Sequence, residues 1–158
     1  MTGMLRRGFL ALALMAAASG SGAAPSGDGD DQALLADEDY AAARAALKAG
    51  NAAAALARLQ QTLKRFPDNA DVHNELGFAH RRLKQFDTAF AHYRRALEIN
   101  PQHRGAHEYI GEAYLMVGNL PAAERHLAAL RSICVISCEE LRDLEKAIAE
   151  YRLAGGQR

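Results

Sequence analysis

The chain has no tryptophan, aromatic residues make up 6% of its 158 positions, and it carries only two cysteines and four prolines. Few bulky rings argue against a sheet with broad apolar faces. A hydrophobic content of 49%, much of it alanine, favours closely packed helices instead. There is no excess of either charge, with 19 basic and 19 acidic side chains. That balance offers no general attraction to nucleic acid or anionic lipid. No Gly-rich phosphate loop, no Gly-x-Ser-x-Gly and no His-Glu-x-x-His occurs, so no motif points to an enzyme. The apolar run Phe9–Ala18 is ten residues long, well short of the roughly 20 needed to span a bilayer as a helix.

That run reads as the core of an export signal. Arg6 and Arg7 precede it, and small residues from Ser19 to Ala24 follow. Ser21-Gly22-Ala23 fits the small-x-small rule and places cleavage after Ala23. Arg6-Arg7-Gly8-Phe9-Leu10 also resembles the twin-arginine export motif. Sec and twin-arginine routes both remain open, and both imply a bacterial periplasm or cell exterior, where disulfides persist. Removing residues 1–23 removes two arginines, leaving 17 basic against 19 acidic residues, a net of −2. No stable membrane insertion is expected after cleavage. Residues 24–35 are rich in Gly, Ser and Asp, and read as a flexible acidic leader.

From residue 36 onward three segments align at a spacing of 34: 36–69, 70–103 and 104–137. Ala55, Ala89 and Ala123 coincide, as do Leu59, Tyr93 and Leu127, and Pro67 with Pro101. Gly77 maps onto Gly111 and Ala43. Each segment shows two apolar stripes at helical spacing, broken by a turn signal such as Gly50-Asn51 or Gly118-Asn119. Pro121 falls at a first helical turn, where its missing N–H costs nothing.

Leu76, Gly77, Ala89, Tyr93, Ala96 and Pro101 of the middle segment resemble the tetratricopeptide repeat pattern, Trp-x2-Leu-Gly-x2-Tyr, then Ala-x3-Phe, then Pro. The third repeat matches at Ile110, Gly111, Tyr114, Ala123 and Leu127. The first is degenerate, and His73 and His107 stand where the family has tryptophan. The resemblance implies an all-α, right-handed solenoid of three helix-turn-helix repeats. Residues 138–154 would close it as an amphipathic capping helix, with Leu141, Leu144, Ala147, Ile148 and Tyr151 on one face. Ser137 with Glu140 reads as a capping box at its start.

The two cysteines, Cys134 and Cys138, would flank the turn into that cap. A chain reversal there could bring them within disulfide reach. A bridge stapling the cap, a redox-active pair, a metal site and free thiols are the four readings. The C-x3-C spacing matches neither the C-x2-C of thioredoxin-like and zinc sites nor haem attachment. Of six histidines, four occupy repeat-equivalent positions, His73 matching His107 and His92 matching His126. Cross-repeat pairs such as His92 with His107 could meet, but interface histidines are the expected role, with no metal or cofactor.

In the family, the first helix of each repeat lines a concave groove. By position this assigns Tyr40, Arg44 and Lys48 from the first repeat, Asn74, Phe78, Arg81 and Arg82 from the second, and Glu108, Glu112 and Met116 from the third. Such a surface would take a protein or peptide segment, its arginines meeting carboxylates. The expectation is a non-catalytic periplasmic scaffold. Redox or metal handling by Cys134 and Cys138 is the alternative.

Overall fold

The computed structural model describes residues 28–155; the expected signal, 1–23, and the start of the leader lie outside them. Among the described residues there are eight helices and no strand. They are α1 Asp28–Leu35, α2 Glu38–Lys48, α3 Ala52–Arg65, α4 Ala70–Arg82, α5 Phe86–Ile99, α6 Arg104–Met116, α7 Leu120–Ile133 and α8 Glu139–Leu153. Pairs α2–α3, α4–α5 and α6–α7 are the three repeats, and α8 packs on α6 and α7. The architecture is a helical solenoid with a terminal cap.

Short polar side chains start these helices. Asp37, Asn51, Asn69 and Asn119 each accept a hydrogen bond from a backbone N–H of the following turn. His103 does the same for Ala106, at 3.1 Å. Asp37 is further gripped by Arg65, at 2.7 and 2.8 Å. That guanidinium holds the Asp37 carboxyl below its ordinary range, despite a smaller opposing effect of burial.

Two glycines leave the first helix of their repeats through the left-handed region, Gly50 and Gly118, both at φ 79°. The equivalent residue of the middle repeat is Lys84, the one non-glycine with positive φ among the described residues, at 60°. Inside the stack, close approach explains Gly77 and Gly111. A Cβ on Gly77 would lie 2.6 Å from the Tyr93 ring, and one on Gly111 would lie 2.7 Å from Leu144.

The apolar stripes bury in three linked clusters. Leu34, Tyr40, Leu59, Val72 and Leu76 fill the first repeat and its junction with the second. Tyr93 and Ile110 join the second to the third. Leu127, Leu130, Leu144, Ile148 and Tyr151 close the end under α8.

Two expectations need correction. Residues 28–35 are not a flexible leader but a helix, and Leu34 is 1% exposed in the first cluster. One well-placed leucine covers the open end of α2–α3, which composition alone does not reveal. Ser137 does not cap α8 either. The N-cap is Cys138, which makes no side-chain capping bond. The turn that brings Cys138 back toward Cys134 shifts the helix start by one residue.

Candidate functional site

Arg81, in the last turn of α4, is a node between the second and third repeats. It is only 9% exposed. Its guanidinium lies over the rings of Phe78 and Tyr109, at 5.1 and 5.5 Å. It bridges to Glu112 of α6 at 2.6 Å. One contact is made along its own helix and two with the next repeat, so Arg81 ties two repeats together. Charge-assisted pairing in a half-enclosed site also fixes its direction.

Two hollows open against this node. One, of about 570 Å³, is lined by Phe78, Arg81, Arg82, Lys84, Glu108, Tyr109, Glu112 and Met116. The other, of about 430 Å³, shares Arg81, Lys84, Glu112 and Met116 and adds Phe86, Leu115 and Ala147 of the cap. Phe78 and Tyr109 form an aromatic floor, their centroids 5.0 Å apart. Met116 is 40% exposed at the rim.

Six of the ten groove residues expected from the sequence therefore meet here: Phe78, Arg81, Arg82, Glu108, Glu112 and Met116. Asn74 is buried nearby, with its Oδ1 lacking a hydrogen-bond partner. The first-repeat residues lie elsewhere. Tyr40 is buried in the core; burial raises its hydroxyl pKa above the ordinary value. Arg44 is 3.9 Å from Glu75. Lys48 is exposed at the end of α2 and lines neither hollow. Sequence reasoning missed Tyr109 and Lys84. Tyr109 adjoins the assigned Glu108, and a residue facing a seam rather than the open face has no periodicity of its own.

Electrostatics divide the face. Arg82 and Lys84 make no ion pair among the described residues. Across the hollow, Glu108 is crowded. Burial first, then the charges of Glu112, Asp143 and Glu140, push its carboxyl up to about 8. Burial and the Glu108 charge likewise push the Tyr109 hydroxyl up to about 12.

Four of the histidines pair within repeats rather than between them: His92 meets His73 and not His107. His73 Nδ1 is 3.1 Å from His92 Nδ1, and its Nε2 donates to the Pro67 carbonyl at 3.0 Å. His107 repeats this with His126 at 2.9 Å and Pro101 at 3.0 Å. A histidine at the family's tryptophan position thus tethers the proline turn. Among the described residues no group of three or more His, Cys, Asp or Glu could hold a metal ion. Cys134 and Cys138 lie at bonding distance, with sulfurs 2.07 Å and Cα atoms 5.8 Å apart.

Two tetratricopeptide repeat family models match, one over residues 40–104 and the other over 80–133. Together they run through residues 40–133, more than half of the chain. The chain belongs to the tetratricopeptide repeat family. No curated protein matches the sequence. Among solved structures it is similar to the TPR2B domain of yeast Sti1, from a complex of that domain with pHsp70. The TM-score is 0.68 at 20% identity, over 77% of this chain and 98% of that one. At that identity the likeness shows the fold alone. Tetratricopeptide arrays serve as protein-interaction scaffolds. Among the described residues no helix is long and apolar enough to cross a membrane.

Proposed function

We propose that this tetratricopeptide array is an exported, periplasmic scaffold without a catalytic role. It holds a segment of a partner protein in the concave face between α4, α6 and α8. The observation that carries this reading is the Arg81 node. A buried, doubly anchored arginine holds an aromatic floor and two hollows open in advance of any partner. A preformed site lowers the ordering cost of binding. The solved complex of a similar array with pHsp70 is in keeping with a protein partner.

The test is site-specific photocrosslinking in cells. A photoreactive residue at Met116, on the rim, should give discrete adducts that Arg82→Glu suppresses. The same residue at Arg125, exposed on α7, should give none. Equal adducts at both positions, or adducts indifferent to Arg82→Glu, would remove the groove from the reading. Export is checked on the same material by intact mass. A chain lacking residues 1–23 supports it, and a full-length chain overturns it.

A further inference from the structure

The hollow beside Arg81 is polarised, and only part of its acidic side is met by a cation. Glu112 is taken by Arg81 at 2.6 Å, and Glu140 lies 3.7 Å from Arg104. Neither Glu108 nor Asp143 has an ion pair among the described residues. The Glu108 carboxyl is held largely protonated near neutral pH by its burial and its acidic neighbours. A nearby donor would reverse that.

The seam between α4 and α6 also holds Asn74. Asn74, 6% exposed, has its Oδ1 buried without a hydrogen-bond donor. Its amide faces Gly105, where a Cβ would sit 3.5 Å from Nδ2. Glu108 lies three residues further along α6, on the same side of that helix. Glu108, lining the hollow with Arg82 and Lys84 and lacking an ion pair among the described residues, calls for a group with several donors and a positive charge.

The opposite rim is basic, and one of its members is held against backbone preference. Lys84 adopts φ 60°, where the other two repeats use glycine. The long cation therefore stays at the hollow although glycine would satisfy the turn better.

We propose that the partner segment carries a lysine or arginine that enters beside Glu108, and an acidic residue that meets Arg82 and Lys84, all three of which line one hollow. This rests on the reading of the concave face as a peptide groove and adds the chemistry and direction of the occupant. A neutral apolar peptide would leave Glu108 unpaired. A uniformly acidic one would face Glu108, Asp143 and Glu140. Opposite charges at its two ends fix the segment's direction.

The experiment is selection of a phage-displayed library of random twelve-residue peptides on the mature chain. A parallel selection uses the double variant Glu108→Gln/Asp143→Asn, its fold verified by far-UV circular dichroism. The expected result is a wild-type pool enriched in peptides pairing one basic with one acidic residue. A chosen peptide should bind the double variant at least tenfold more weakly, and Arg82→Glu should weaken it comparably. A pool without basic residues, or one selected equally by the double variant, overturns this inference and leaves the groove standing. If no peptide is enriched on the wild type, the groove reading falls and this inference with it. Self-association of the chain that Glu108→Gln abolishes would likewise overturn it, by making a second copy the occupant.

Discussion

The backbone of Gly77 lies against the ring of Tyr93, so close that any Cβ at 77 would sit 2.6 Å from two ring carbons. Tyr93 is fully buried, between α4, α5 and α6. It cannot swing away without opening the junction of the second and third repeats. Gly77→Ala should therefore destabilise the fold by about 1–3 kcal/mol through overpacking, even though alanine is the better helix former. Gly105→Ala meets only ordinary contacts and should be neutral or mildly stabilising. Thermal unfolding of the two variants side by side checks the contrast. Equal melting temperatures would mean that the Gly77 contact relaxes freely.

Lys84 offers the opposite trade. Its left-handed backbone suits glycine, so Lys84→Gly should raise stability by roughly 1 kcal/mol in urea unfolding. The same substitution removes a cation from the hollow and should weaken an acidic ligand. Unchanged stability would indicate that the lysine side chain compensates for its backbone within the fold.

The histidine pairs make stability depend on pH. Burial first, then neighbouring charge, lowers His92 and His126 to about 4, and lowers His73 and His107 as well. The groups facing the first pair are His80, Arg95, Asp68 and Glu98; His103 and Arg125 face the second. For a base with a depressed folded pKa, the unfolded chain takes the proton first. Stability contributed by the neutral pairs is present above the ordinary histidine range and is lost as pH falls from about 6.5 toward 4. Each pair should account for roughly 1 kcal/mol, since the rings are partly exposed and screened. Unfolding at pH 7 and pH 4.5 measures the slope, which His92→Gln with His126→Gln should flatten.

Glu108 acts in the other direction. Its carboxyl is raised to about 8, so between the ordinary glutamate pKa and that value the folded chain holds the extra proton. Stability therefore falls as pH rises through that window. Glu108→Gln should remove this loss and raise stability at pH 8 by about 1 kcal/mol, after allowance for solvent screening. A variant no more stable than wild type at pH 8 would show the carboxyl to be solvated.

The bridge between Cys134 and Cys138 closes a very short loop. Chain-entropy reasoning limits its contribution to about 2 kcal/mol. Cys134→Ser with Cys138→Ser should lower stability by no more than that, loosening α8 from α7 while leaving the first two repeats intact. Hydrogen exchange resolved along the chain would show protection lost at Leu144 and Ile148 and kept at Leu59 and Leu76. Loss of protection throughout would mean that the cap is needed for the whole stack to fold.

The amino-acid sequence by itself determined the 34-residue period, the helix pairs, the small residues at their crossings and the capping helix. Each of these rests on local spacing: apolar stripes at helical period, glycine where a turn goes left-handed, proline where a helix must end. Six of the ten positions assigned from the sequence come together around one hollow for the same reason, because a helix face repeats with the helix. Tertiary structure alone decided the rest. Leu34 became a core residue because the first repeat leaves an open end to cover. His73 met His92 instead of a neighbouring repeat because partners are chosen by packing distance, which sequence spacing does not encode. Arg81 turned inward between Phe78, Tyr109 and Glu112, leaving Arg82 on the surface, since only one of two adjacent residues can face the seam of a helix. The raised pKa of Glu108, due first to burial and Glu112, likewise draws on Glu140 and Asp143 of a helix more than thirty residues away, brought near only when the cap docks.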